Sequence, residues 1–346
     1  DPGCLFMPSH GVWGIDFRPF TPPSHIKDPA GYTKDLLDRA TKSSDVFSPM
    51  SLGLKGNALD ESWESFEEEC SIFDRPILPH EIGIIGGYLD LSLEERYAGT
   101  EMKSLFSDVR KNLKAAGRLH MAKRYYENSA RMQSLQRKFL IEKARLCESV
   151  DGYDHLGGMD SHWHRVGYCC GTLNEFLELK YGDTDQDILQ FNGESVVLLD
   201  IFRRRSFWSG DTFEKSVMVS LYGGMPLKKG IMEWVIKDGD EVLLKGKIGN
   251  LNAPDGKVTE LEKINFEWPR TKKALQVKLI VSIKGSGYEL NNHWDLWVFP
   301  KNPIPQIKAS GDEETLTKLS NRYPEIRSLQ AQGNTELRIV SQLTTE

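Results

Sequence analysis

The chain has 346 residues, of which 39% are hydrophobic, 10% aromatic and 27% charged, with a formal net charge of −6. That length exceeds one ordinary domain and suits two, and the apolar share is enough to build real cores. The acidic balance argues against a nucleic-acid partner, and no run of about 18 apolar residues exists to span a membrane.

The chain opens Asp1-Pro2-Gly3-Cys4 rather than on Met, so its native N-terminus is expected to lie elsewhere. Cys4 to Met7 is a short apolar piece, and the Gly-, Pro- and aromatic-rich stretch after it, to Pro23, reads as a loop fed by a strand end. Residues 24–74 read as loop and short helices, with an acidic amphipathic stretch from Ser62 to Cys70. Arg75 to Gly83 is a brief apolar run bounded by prolines, ending on His80 and Glu81, with glycines at 83, 86 and 87: a strand, then ionisable residues, then a turn.

From Ser92 to Glu148 the spacing predicts helices. Met102, Leu105, Phe106, Val109 and Leu113 share one face, Leu135, Phe139, Ile141 and Ala144 another, and Gly117 separates them. The basic stretches Lys111–Arg124 and Arg131–Arg145 read as solvated helix faces. Gly152 to Asp160 is a second short strand-like piece, running into Ser161-His162-Trp163-His164, and the order strand, helices, strand suggests β/α repeats.

Beyond Asn192 the pattern alternates with period two: Ser195–Phe202, Phe213–Tyr222, Ile231–Ile236, Glu241–Ile248, Lys257–Phe266 and Leu275–Ile283, spaced by Gly, Asp and Pro turns. Such spacing argues for a sandwich of immunoglobulin type. It closes on Asn292 to Pro300, where Trp294 and Trp297 fall on opposite faces of a strand, one in the core and one at an interface. Residues 301–346 are Pro-rich, then charged, and end on a strand-like Glu336–Ser341. Both ends read as cut mid-architecture, so a larger polypeptide, processed or joined by another chain, is expected. The five cysteines lack zinc spacing and are expected as buried thiols.

Three segments together resemble the glycoside hydrolase family two clan, in its large multidomain, β-galactosidase-like or sugar-binding members. Asp1 to Phe6 is similar to the family's fifth-strand segment, with Gly3 and Cys4 departing from the usual pair. Arg75–Gly83 resembles the seventh-strand segment with its His-Glu or Ser-Glu pair, and Gly152–Asp160 the eighth. The ending Asn-x-Trp-Asp-Leu-Trp-Val-x-Pro resembles that of the sandwich following the barrel.

The resemblance implies an α/β plus all-β chain: the C-terminal part of a (β/α)8 TIM barrel over 1–190, an immunoglobulin-like β-sandwich over 191–302, and a linker with the start of a further domain over 303–346. It implies a retaining β-glycosidase acting on a β-linked glycan, whose two carboxylates stand about 5 Å apart across the sugar. Glu81, at the seventh strand end, takes the nucleophile's place. The acid/base belongs to the fourth strand, outside this chain, so an upstream segment or second chain would complete the barrel, in a secreted, periplasmic or lysosomal-type compartment.

No cofactor or metal is implied. His162 and His164 share a face if extended, but a stacking floor at Trp163, with Asp160 or His162 bonding sugar hydroxyls, is favoured over zinc, plain packing of these side chains being the other reading. Trp13 and Asp16 are further substrate-binding candidates. His80 either bonds a sugar hydroxyl or packs, since a strand neighbour of Glu81 points the other way. Glu142 and Arg145, three apart, are expected to be structural, as a surface pair or at the barrel's edge. The alternative to the enzyme is a non-catalytic carbohydrate-binding or structural module derived from a glycosidase.

Overall fold

The computed structural model describes residues 4–5, 45–48, 63–71, 75–83, 85–160, 169–201, 205–301, 307–310, 312–322, 326–328 and 337–338. Trp13, Asp16, His162, Trp163 and His164 lie outside them, as do most of the opening segment and Glu336–Ser341's flanking residues.

The period-two runs become long strands. β1 (Val196–Leu199), β3 (Thr212–Leu221) and β6 (Lys257–Glu267) form a three-stranded antiparallel sheet in the order β1-β3-β6. β2 (Ser206–Trp208), β4 (Leu227–Asp238), β5 (Glu241–Ala253), β7 (Leu275–Gly285) and β8 (Tyr288–Phe299) form a five-stranded sheet, β2-β8-β7-β4-β5. Alternation decides the faces: Met232, Trp234 and Ile236 of β4, Val277, Leu279, Val281 and Ile283 of β7, and Trp294, Leu296 and Val298 of β8 meet Phe213, Val217, Val219 and Ile264 in one core. Fully burying such side chains contributes about 1.5–3 kcal/mol each. The β7–β8 hairpin turns on Ser286 (φ 49°) and Gly287 (φ 84°), two successive left-handed residues of the kind whose twist suits a two-residue turn. Trp294 is buried, whereas Trp297 is exposed on the outer face.

β1 is buried along its whole length. Val197 and Leu199 enter the sandwich core, while Val196 and Leu198 face a second cluster with Phe139, Leu140, Ile141, Ala144 and Phe191. The three-stranded sheet therefore faces the five-stranded sheet on one side and a helical layer on the other, and that layer also reaches β8 through Glu142. That layer contains α1 (Trp63–Cys70), the 25-residue α3 (Ala122–Leu146) and α4 (Asp185–Asn192), while α2 (Met102–Ala115) packs through Phe106 on a separate cluster with Leu91 and Tyr97. Thr184 caps α4, its side chain accepting from the Asp187 amide at 3.1 Å. A small parallel sheet, β10-β9-β11 (Ile326–Ser328, Ile307–Ser310, Leu337–Arg338), flanks α5 (Glu313–Arg322) in the sequence.

The expected TIM barrel is not formed: none of the sheets among the described residues closes on itself. The segments assigned to its last strands are short extended pieces. Phe47 makes one parallel bridge with Ile77, and on the other side Asp151 N donates to Ile77 O, Asp154 N to Pro79 O and Ile82 N to Asp154 O, at 2.9–3.0 Å. Pro76 and Pro79 have no N–H to offer a ladder, and Glu81 adopts φ 61°, which ends extended pairing. The expected β/α repeats are not formed either: before β1 the described residues hold helices and isolated bridges but no strand. Among the described residues, no helix is long and apolar enough to cross a membrane.

The second basic stretch also differs from its expected solvated face. Arg137 is buried against Asp183, with an N···O distance of 3.2 Å, and Lys138 against Glu142 at 2.6 Å. Arg137 meets a partner 46 residues away, whereas Lys138 meets its i+4 neighbour on the same helix and reaches Asn292 of β8 as well.

Candidate functional site

The extended segments 75–83 and 151–155 end side by side and bring His80, Glu81, Asp154 and His155 together. His80 Nδ1 lies 2.6 Å from Asp154 Oδ2 and its Nε2 lies 3.5 Å from Glu81 Oε1. Neighbours in a regular strand would diverge; here the left-handed backbone at Glu81 turns its carboxylate back to the preceding imidazole. His155 Nδ1 contacts Ile82 O at 2.7 Å. Its ring also fills the space above Gly83, where an added Cβ would stand 3.1 Å from Nδ1. Burial holds the His155 imidazolium form down, below the ordinary histidine value of 6.5.

Asp160 belongs to a different cluster. Its Oδ1 accepts from Lys180 Nζ at 2.9 Å and from the Gly171 amide at 2.7 Å, and the residue is 8% exposed. Burial pushes its carboxyl up despite the ammonium beside it. Lys180 also donates to Cys169 O, and Gln133 Nε2 donates to Ile85 O and Cys169 O, tying α3 to both neighbouring loops. Gly171 sits where a Cβ would meet the Asp160 backbone nitrogen at 2.2 Å, so this crossing admits only glycine. Burial raises the Cys169 thiol to about 12.

The structure thus joins His80 and Glu81, keeps Asp160 in a separate cluster, and adds Asp154, which lies inside the second extended segment and carries no sequence signal of its own. Glu142 and Arg145 do not pair. Glu142 Oε1 accepts from Asn292 Nδ2 at 2.8 Å and its Oε2 from Trp294 Nε1 at 3.1 Å, while Arg145 reaches the Glu194 carbonyl at 3.0 Å and the Tyr153 hydroxyl at 3.4 Å. Two cavities stand apart from Glu81. One of about 310 Å³ lies between the end of α3, the 150–153 segment and the sandwich; one of about 670 Å³ lies on the outer side of β4, β5 and β7. Among the described residues, no cluster of His, Cys, Asp and Glu is arranged to hold a metal ion.

A family model described as "Domain of unknown function (DUF8488)" matches residues 211–300, the greater part of the sandwich. No curated protein matches the chain. Among solved structures, the chain is similar to Spo0M, a sporulation control protein from Bacillus subtilis, at 12% identity over 32% of this chain and 50% of that one, with a TM-score of 0.24. A family 123 glycoside hydrolase from Clostridium perfringens is 12% identical over 34% and 27%, TM-score 0.21. The CARDB domain of the PF1109 protein from Pyrococcus furiosus is 9% identical over 31% and 92%, TM-score 0.23. The chain therefore spans half or less of the first two.

These likenesses are too low to carry an argument, and their descriptions do not agree. With no closed barrel among the described residues, the resemblance to the glycoside hydrolase family two clan is withdrawn. The retaining-glycosidase assignment falls with it. Glu81 and Asp154 face opposite nitrogens of one imidazole, and neither lines either of the two cavities above. The glycan substrate and the barrel-completing segment or chain lose their basis as partners.

Proposed function

We propose that this chain is a non-catalytic structural module, in which a helical layer is clamped onto a β-sandwich spanning about residues 191–302. The observation that carries this reading is where the charges go. Asp154 and Glu81 flank His80, Asp160 holds Lys180, Asp183 holds Arg137, and Glu142 holds Lys138, Asn292 and Trp294. Each of these charged groups is bonded to a neighbour and fixes a loop or a helix. In this reading His80 and Asp160 hold the fold rather than a substrate.

The test is an assay of the full chain against aryl β-glycosides alongside thermal unfolding of Glu81→Gln, His80→Ala and Asp160→Asn. No turnover, with melting temperatures lowered most by Asp160→Asn, is expected. Turnover that Glu81→Gln abolishes would overturn the proposal.

A further inference from the structure

Charges around the 310 Å³ cavity break the pattern of mutual pairing. Its wall holds Arg145, Asp151 and Glu194 together with the rings of Tyr153 and Tyr222. None of the three charged side chains lies within ion-pair distance of an opposite charge among the described residues. Asp151 Oδ2 accepts the Ile77 amide at 2.9 Å, and the Arg145 guanidinium donates only to the Glu194 main-chain carbonyl and weakly to Tyr153. Two of its five N–H groups are used, one on each terminal nitrogen, and Nε is buried without a partner among the described residues, so each terminal nitrogen keeps one N–H to spare.

The cavity is bipolar. Arg145 supplies an anion-binding fork. Asp151 and Glu194, with the carbonyl end of α3 at Leu146, supply a region that favours a cation, because a helix C-terminus carries partial negative charge. The two tyrosine rings add faces that attract an ammonium group. A simple anion would meet two carboxylates, and a simple cation would meet the guanidinium. A small molecule carrying both charges satisfies both ends, and the volume fits one of few heavy atoms.

We propose that this cavity, at the junction of helical layer and sandwich, binds a small zwitterion of the α-amino acid class, its carboxylate on Arg145 and its ammonium on the Asp151 and Glu194 side. The site goes beyond the structural reading above and does not depend on it: binding without turnover leaves that reading intact, and neither binding nor turnover leaves this one to fall alone.

Calorimetric titration of the full chain at low salt with glycine, leucine, acetate, methylammonium and a methyl glycoside tests it. The expected result is a dissociation constant of about 1 mM for an amino acid, with acetate and methylammonium at least about tenfold weaker. Arg145→Met should abolish binding, and Glu194→Gln, at an exposed position that leaves the fold intact, should weaken it severalfold. Binding of no amino acid, equal binding of acetate or the glycoside, or affinity unmoved in Glu194→Gln and Arg145→Met would each overturn the proposal.

Discussion

Glu142 and Trp294, 152 residues apart in the chain, are joined by a 3.1 Å hydrogen bond from the indole Nε1 to the carboxylate Oε2. The other oxygen accepts from Asn292, whose amide also donates to the Val197 carbonyl at 2.7 Å. One helical carboxylate therefore links α3, β1 and β8. Glu142→Ala strands Lys138, Asn292 and Trp294 in a buried setting and is expected to lower unfolding free energy by about 3–5 kcal/mol. Trp294→Phe, which keeps the ring's packing, should cost about 1–3 kcal/mol. Denaturant midpoints of the two variants measure both, and equal, small losses would show that the carboxylate is not the link.

Stability should climb with pH on approaching neutrality. Burial lowers the folded-state pKa of His155 below 6.5. Between that lowered value and 6.5 the unfolded chain binds more protons than the folded one, so unfolding free energy rises with pH, by at most about 1.4 kcal/mol per pH unit for one group. His293 shifts in the same direction. Denaturation midpoints from pH 5 to 8 should show the slope, reduced in His155→Gln; an unchanged profile in that variant would remove His155 as its source.

Gly246 lies beneath the Trp234 indole, which stacks on Phe266 across the core at 5.3 Å. A Cβ at 246 would stand 2.4 Å from the ring. Gly246→Ala is expected to cost about 1–3 kcal/mol or more by overpacking. Gly249→Ala, on the same strand with nothing within 4 Å, should be neutral or stabilising. Parallel melting curves give the comparison, and matched melting temperatures would refute the packing account.

The thiols should divide by burial. Cys70, Cys147, Cys169 and Cys170 are buried and Cys4 is exposed. Burial raises the thiols of Cys147, Cys169 and Cys170, leaving little thiolate at neutral pH. A thiol reagent should label Cys4 in the folded chain and all five after denaturation, which mass spectrometry resolves site by site.

How much of this was legible depends on the range of the interaction involved. Period-two alternation is written locally, so the runs from Ser195 to Pro300 became strands and Trp294 and Trp297 separated as their spacing required. The barrel reading failed because short apolar pieces such as Arg75–Gly83 carry no record of whether their edges find partners. Two prolines and a left-handed Glu81 limited this one to a few parallel contacts. The same backbone turn joined His80 to Glu81, against the divergence that strand geometry predicts.

By itself, then, the sequence determined the strands, their inward faces and the amphipathic helices, because side-chain periodicity is a property of neighbouring residues. Only the tertiary structure decided that the sheets among the described residues stay open, that Arg137 and Glu142 go inside, and that Arg145, Asp151 and Glu194 surround one cavity. Arg137 meets Asp183, 46 residues away, and Glu142, besides Lys138 on its own helix, meets Trp294, 152 residues away. A buried charge is stable where it is paired and hydrogen-bonded, and no local pattern records the distant part of that set.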